Sequence, residues 1–379
     1  MKSYYEFFAG GGMVNAGLGQ DWSCAFANDF SVKKGSSYVA NWGAETLLVE
    51  DIKKIAAGRI LGHADLAWAS FPCQDLSLAG NGAGLEGSRS GTFWAFIALM
   101  KALKSQSRKP RIIALENVCG TLTSNGGKDF QSIISALVEL GYRVGALVID
   151  AVHFVPQSRP RLFVVAVDAA FDIPSACLND LSQSIWQTKA LLKAYQHLPV
   201  KLKANWMWWH VPSPTQPSRF LRDIVESNPV DVAWHSQEET ARLLSLMSPV
   251  NRQKLLHAQN AKALQVGAVY RRTREGEQRA EVRFDGVSGC LRTPGGGSSR
   301  QTLLFVEGPM IRSRLLSGRE AARLMGLPDS YVLPMRYNDA YHLAGDGVVV
   351  PVISHLAKHL FTPLLTGMHG DQVEPRKAA

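Results

Sequence analysis

The 379 residues include 41 Lys and Arg against 32 Asp and Glu, a net charge of +9 with a pI near 9.3. A hydrophobic content of 46% and a charged content of 19% suit a soluble globular enzyme with a sizeable core, and no apolar run approaches the roughly 18 residues of a membrane helix. The five cysteines (Cys24, Cys73, Cys119, Cys177, Cys290) form no CxxC pair, which argues against a disulfide framework and a metal site and fits a reducing cytoplasm.

In chain order, the opening MKSYYEFFAGGG leads at once into a strand and a glycine turn, so no secretion signal is expected. Short apolar runs then alternate with helix-like stretches through residue 170, the pattern of a doubly wound α/β sheet. Strands are predicted at Tyr4–Phe8, Cys24–Asn28, Leu66–Ser70, Ile112–Glu116 and Tyr142–Ile149. A last one, Leu162–Val167, follows a loop too short for a helical crossover and should pair antiparallel. From 171 to 310 the pattern is irregular, with five of the nine tryptophans and an arginine-rich run over 271–283. Five of the nine excess positive charges fall in this segment, which tilts the reading toward a polyanionic partner. Order then returns. Ser317 and Glu320 form a capping-box pattern with Gly326 and Pro328 as its stop. A second helix is predicted from Gly345-Asp346-Gly347 toward His359, Asp346 acting as its N-cap, and residues 366–379 read as a frayed tail.

Several chemistry-bearing residues fall at or just after strand C-terminal ends, where open α/β sheets bind ligands. Gly10-Gly11-Gly12 ends the first strand and lets the backbone approach a ligand at a helix N-terminus. It is not a dinucleotide GxGxxG, because Asn15 stands where the last glycine belongs. Asp29, 19 residues beyond Gly10, suits two ribose hydroxyls, and Asp51 suits an adenine amine. Ser70-Phe71-Pro72-Cys73-Gln74 follows an apolar strand and precedes a glycine-laden stretch, as a nucleophile under a mobile loop would. A lone cysteine is more often buried and structural, so its surroundings must decide. Glu116 ends the next core strand and needs a cation, for which Arg159 and Arg161 are both candidates.

Six motifs in order resemble the DNA cytosine-C5 methyltransferase family. They are Phe8-Ala9-Gly10-Gly11-Gly12, Pro72-Cys73-Gln74 with its following loop, Glu116-Asn117-Val118, Gln157-x-Arg159-x-Arg161, Arg319 through Pro328, and Gly345 through Val352. Two departures stand out: Met13 extends the turn, and Asp346-Gly347 replaces the usual Gly-Asn-Ser or Gly-Asn-Ala.

The resemblance implies a Rossmann-like class I methyltransferase domain with a mostly parallel sheet, built from residues 1–170 and 311–365. It also implies an inserted, irregular target-recognition domain over 171–310. Cys73 would attack C6 of a flipped cytosine, Glu116 would hold N3 and the 4-amino group, Arg161 would hold O2, and Arg159 would assist the Cys73 region. S-adenosylmethionine would be the methyl donor, without a metal. It would be held by Phe8, Gly10, Gly12, Asp29, Phe30, Asp51, Ile52, Pro72, Phe93 and Asp346. Double-stranded DNA would meet Gln74, Ser77, Arg271, Arg272, Arg274 and Arg300, with Arg279 and Arg283 in the same arginine run. A cytoplasmic monomer is the expected form, either stand-alone or in a restriction-modification role beside a restriction endonuclease. An RNA (tRNA) cytosine-C5 methyltransferase and a catalytically silent DNA-binding regulator on the same fold are the rival readings.

Overall fold

The computed structural model describes residues 1–72, 91–179, 184–214, 220–274, 276–293 and 300–369. Cys73, Gln74 and Ser77 lie outside the described residues. Two compact units emerge: one of Met1–Ile149, Pro160–Ser213 and Val352–Ala379, the other of Asp150–Arg159 and Pro214–Pro351. These boundaries differ from 170/171 and 310/311. Residues 171–213 join the first unit, and 311–351 join the second.

The first unit is a seven-stranded sheet of β1 (Lys2–Phe7), β2 (Trp22–Asp29), β3 (Leu47–Val49), β4 (Leu66–Ala69), β5 (Ile112–Val118), β6 (Tyr142–Asp150) and β7 (Pro160–Asp168), in the order β3-β2-β1-β4-β5-β7-β6. Strands β1 to β5 are parallel, and β7 runs antiparallel to β5. The sheet is thus mostly parallel and Rossmann-like. Helices α1 (Met13–Leu18), α2 (Val32–Trp42), α3 (Thr92–Ser105) and α4 (Lys128–Glu139) connect the strands. All four residues of β4 and the first six of β5 are buried, as a sheet covered on both faces requires. Phe7, Phe96, Leu115, Ile134 and Val164 share the main core. The expected strands are all present. The three-residue β3 was not foreseen, because so short a run has no readable period.

The second unit contains a four-stranded sheet of β8 (Gln265–Arg274), β9 (Glu277–Arg283), β10 (Thr302–Glu307) and β11 (Met310–Leu315), in the order β11-β10-β8-β9. The arginine-rich run is therefore a hairpin, not irregular chain. Along β9, buried Ala280 and Val282 alternate with outward Arg279, Glu281 and Arg283. The period of two is masked by the small inward residues. The inner face packs on helices Gln237–Ser245 and Pro249–Gln259 through Leu243, Met247 and Leu255. Both halves of the Ser317–Glu320 capping box form at the start of helix Gly318–Leu324. Glu320 and Arg314 are wholly buried, and the two guanidinium nitrogens donate to the carboxylate at 2.6 and 2.8 Å. Glu320 also accepts from the backbone N–H groups of Ser317 and Glu226 at 2.8 and 2.7 Å, so the buried charge is fully engaged.

The predicted helix running toward His359 is present, beginning at Val350, but a helix not foreseen precedes it. A helix spans Tyr337–Asp346, with Ala340, Tyr341, Leu343 and Ala344 on its buried face, so Gly345-Asp346-Gly347 closes a helix instead of opening one. The next helix is Val350–Leu356, continued by Ala357–Phe361 and Thr362–His369. Asp346 is accordingly not an N-cap, and residues 366–369 are helical, not frayed. By length and composition the stretch Tyr337–Gly367 would also pass for a membrane span, contrary to expectation, but 61% of its most apolar window is buried within the protein.

Candidate active site

Register brings the chemistry together at one sheet edge. Asn28, Phe7, Ala69 and Leu115 stand in a single row across β2, β1, β4 and β5. The next row, one residue onward, is therefore Asp29, Phe8, Ser70 and Glu116. All these strands are parallel, so their C-terminal ends share an edge, as in open α/β sheets that bind ligands.

The glycine turn is held open from below. Phe8 adopts a left-handed backbone (φ 59°), a rare state for a non-glycine residue. Gly12 has φ 75°, and a Cβ there would lie 2.3 Å from the Trp42 indole nitrogen, so only glycine fits. That indole N–H donates to the Gly11 carbonyl at 2.9 Å and fixes the turn. A Cβ on Gly10 would meet nothing within 4 Å, leaving space beside the backbone. The buried Asp29 carboxylate accepts the N–H of Gly10 at 2.9 Å and of Ser31 at 2.8 Å, each oxygen keeping a further lone pair. Phe30 is 69% exposed although aromatic. Asp51 caps a short turn by accepting the Lys53 N–H at 3.0 Å, and the neighbouring Ile52 is buried.

Glu116 and Arg161 meet. The Glu116 carboxylate lies 3.2 Å from Arg161 Nε, with both side chains largely buried. Because Val118 pairs with Arg161 and Glu116 with Phe163, the two form a diagonal cross-strand pair within reach of long side chains. Arg159 does not join them. It precedes β7, so strand alternation does not govern it, and its guanidinium donates to the carbonyls of Leu291, Gly345 and Gly347 at 3.0, 2.9 and 2.8 Å, all within the second unit. Gln157 works alongside: its amide donates to Leu324 C=O at 2.8 Å and accepts the Leu291 N–H at 3.0 Å.

Two residues that hold neighbouring segments were given no role from sequence, although Asn117 stands in the Glu116-Asn117-Val118 motif. Asn117 donates to the Phe71 carbonyl at 3.2 Å, anchoring the chain two residues before Cys73. Asn28 donates to the carbonyls of Leu48 and Glu50 at 2.9 and 2.8 Å, setting the approach to Asp51. Their signal was a polar residue inside an otherwise apolar strand. The Phe71 and Phe93 rings meet at a tilt with centroids 5.2 Å apart, so Phe93 supports the same segment from α3. Glu6, beneath the glycine turn, is wholly buried; burial, reinforced by the charge of Asp29 and opposed by the Val14 amide, pushes its carboxyl up to about 8.

Of the arginines expected to meet DNA, Arg271 and Arg272 are exposed on β8, and Arg274 belongs to the same strand. Arg272 faces Arg279 across the hairpin, and each lies near an acid: Glu281 at 3.5 Å and Glu277 at 3.7 Å. Arg283 pairs with Asp285 at 2.5 Å. Arg300 donates to Asn338 at 2.5 Å and lies 5.3 Å over Tyr337, so it is engaged within its own unit. The Asp346 carboxylate accepts the Thr293 hydroxyl. Among the described residues no group of three or more His, Cys, Asp or Glu could hold a metal ion.

The Rossmann-like sheet carries a glycine turn, a buried acid and a Glu–Arg pair along one edge, a site of the kind methyltransferases use. The C-5 cytosine-specific DNA methylase model matches residues 3–362, and the chain belongs to that S-adenosylmethionine-dependent enzyme family. Type II methyltransferase M.MspI of a Moraxella species is 26% identical over 365 residues, 96% of this chain and 71% of that protein. M.HaeII of Haemophilus aegyptius is 26% identical over 373 residues, 96% of this chain and 95% of that protein. A solved DNMT2 variant of Spodoptera frugiperda, 18% identical, shares the fold with a TM-score of 0.64 over 95% of this chain and 100% of its own.

Proposed function

We propose that this protein flips a cytosine out of duplex DNA and methylates it at C5 through a covalent Cys73 adduct at C6. The observation that carries this is Glu116, buried at the end of β5 against Arg161, one strand from the segment that enters Pro72-Cys73. C5 of cytosine is a weak nucleophile. A Cys73 thiolate forming an Sγ–C6 bond turns the ring into an enamine-like species whose C5 can attack. Glu116 bonds N3 and the 4-amino group as charge develops at N3, and Arg161 holds O2 while keeping the Glu116 carboxylate in place. After C5 is methylated its proton leaves to base, the Sγ–C6 bond breaks, and 5-methylcytosine is released. Arg159 serves as a positioning residue, holding the residues around 291 and 345–347 together within the second unit.

S-adenosylmethionine supplies an electrophilic methyl sulfonium when bound. The residues at the glycine turn fit it: the space beside Gly10, the spare acceptor capacity of Asp29 for two ribose hydroxyls and the open Phe30 ring for adenine. Pro72 and Phe93 would border the methionine end, and Asp51 and Ile52 the base. DNA reading falls to the second unit, with Arg271, Arg272, Arg274 and Arg279 on its hairpin; facing like charges at Arg272 and Arg279 suit an anionic partner. Gln74 and Ser77 would touch the flipped nucleotide. A cytoplasmic, monomeric enzyme in a restriction-modification or stand-alone role completes the reading.

Duplex DNA carrying 5-fluorocytosine should trap a stable adduct with wild type and none with Cys73→Ala, because fluorine blocks the final elimination. Radiolabelled methyl transfer to tRNA in preference to DNA would overturn the substrate. Glu116→Gln should lose roughly 10²–10⁴-fold in methyl transfer with far less change in DNA affinity; equal losses would make it a binding residue.

A further inference from the structure

Between Leu181 and Arg222 the chain has six basic residues and no acidic one. Most of this segment belongs to the first unit, where residues 184–213 lie along the outer edge of β6. Val144 N–H donates to Asn205 C=O at 2.9 Å, Met207 N–H to Val144 C=O at 2.8 Å, and Val148 N–H to Trp186 C=O at 2.9 Å. Tyr195, Trp206 and Trp208 interlock with ring centroids 4.9 to 5.3 Å apart, and Trp206 meets Phe130 of α4 at 6.1 Å. The Trp209 indole N–H donates to Val165 C=O at 3.1 Å. Covering an open sheet edge accounts for the aromatics. It leaves the lysines unexplained.

Lys189 and Lys193 stand one helical turn apart on Lys189–Gln196, opposite the buried Leu191, and both are exposed. Lys201 is exposed on the short helix Val200–Lys203. Lys203, by contrast, is engaged: Nζ donates to Gln196 C=O at 2.7 Å and lies 5.5 Å over Tyr195. Among the described residues Lys189, Lys193 and Lys201 make no ion pair. Glu139, the exposed acid of neighbouring α4, accepts the Ser135 hydroxyl at 3.0 Å. Three exposed cations, without an ion pair among the described residues, thus stand on a segment backed by interlocked aromatics.

We propose that Lys189, Lys193 and Lys201 bind the phosphate backbone of duplex DNA outside the recognition sequence. This rests on the DNA-methylating reading above. Within the first unit, β7 and β6 separate β5, which carries Glu116, from the segment pairing with Val144. Helix Lys189–Gln196, which carries two of the three lysines, packs against the turn Cys119–Leu122 that follows β5. The phosphates within reach would therefore flank the cytosine held at Glu116.

Fluorescence anisotropy with target-containing duplexes of about 12 and about 40 base pairs, titrated over a range of salt, tests this. Wild type should show the steeper salt dependence on the long duplex. The Lys189→Gln/Lys193→Gln/Lys201→Gln triple should lose about 2–3 in the slope of log K against log salt there, and at least about tenfold in affinity, with the short duplex unaffected. A triple variant that matches wild type on the long duplex, or loses equally on both lengths, overturns the proposal. Should the triple melt early, the Lys189→Gln/Lys193→Gln pair should still lose about two-thirds of the slope change. If wild type transfers methyl groups to no DNA, the broader reading falls instead.

Discussion

Arg161→Met is the most informative single change, because it separates the chemistry of Glu116 from the stability of its pocket. The Arg161 Nε to Glu116 contact is 3.2 Å, and the side chains are 17% and 10% exposed. At an effective dielectric of about 20 the Coulomb attraction at that distance is about 5 kcal/mol, most of it offset by desolvation of the two charges. Removing one partner of a buried pair costs about 3–5 kcal/mol, since the survivor stays buried and uncompensated. Discounting for the remaining exposure leaves about 2–3 kcal/mol for Arg161→Met, a fall in Tm of roughly 2–4 °C for a chain of this length. Glu116→Gln should cost less, because an amide retains a polar partner for the guanidinium. The double variant should be less damaged than the sum of the singles by at least about 1 kcal/mol. Urea titrations of all four proteins, read by tryptophan fluorescence, measure this directly. Strict additivity would mean the pair seen across β5 and β7 has no energetic content and would refute the reasoning.

Two further outcomes are expected. The folded Glu6 carboxyl, raised from 4.5 to about 8, keeps a proton that the unfolded chain has lost, so its contribution is full below pH 4.5 and fades as pH rises through about 8. Glu6→Gln should match wild type near pH 4.5 and exceed it by about 2–4 kcal/mol near pH 9 in denaturant unfolding, and parallel pH profiles would contradict the assignment. Asp346 ends the helix Tyr337–Asp346, where a carboxylate opposes the helix dipole while accepting the Thr293 hydroxyl. Asp346→Asn keeps the acceptor and removes the charge, so stability should hold or rise by about 0.5 kcal/mol and S-adenosylmethionine affinity should stay within about threefold by calorimetry; a tenfold loss would show that the carboxylate addresses the cofactor.

The strand ends that bear the chemistry were legible because buried parallel strands are near-continuous apolar runs, and Ile112–Glu116 and Leu66–Ser70 read as such. β9 was not, since Ala280 hides an inward position that a larger residue would have announced. The helix Tyr337–Asp346 escaped because its terminal Gly-Asp-Gly reads equally as a start or a stop, and the choice rests on what its preceding turns bury. Arg159 and Arg161 look equivalent two residues apart, but β7 begins between them at Pro160.

What the sequence determined alone is the chemistry available: a glycine turn, an acid 19 residues beyond Gly10, a cysteine and a glutamate at successive strand ends, in an order specific to one family. Those are properties of residue type and short spacing. Which arginine meets Glu116, where Arg159 is anchored, and with which unit 171–213 and 311–351 pack were decided by the tertiary structure. Each depends on strand register or on carbonyls more than a hundred residues away, such as those of Leu291 and Gly345 around Arg159. Local propensity has no information at that range; only the packing that satisfies every buried charge and carbonyl at once selects the partner.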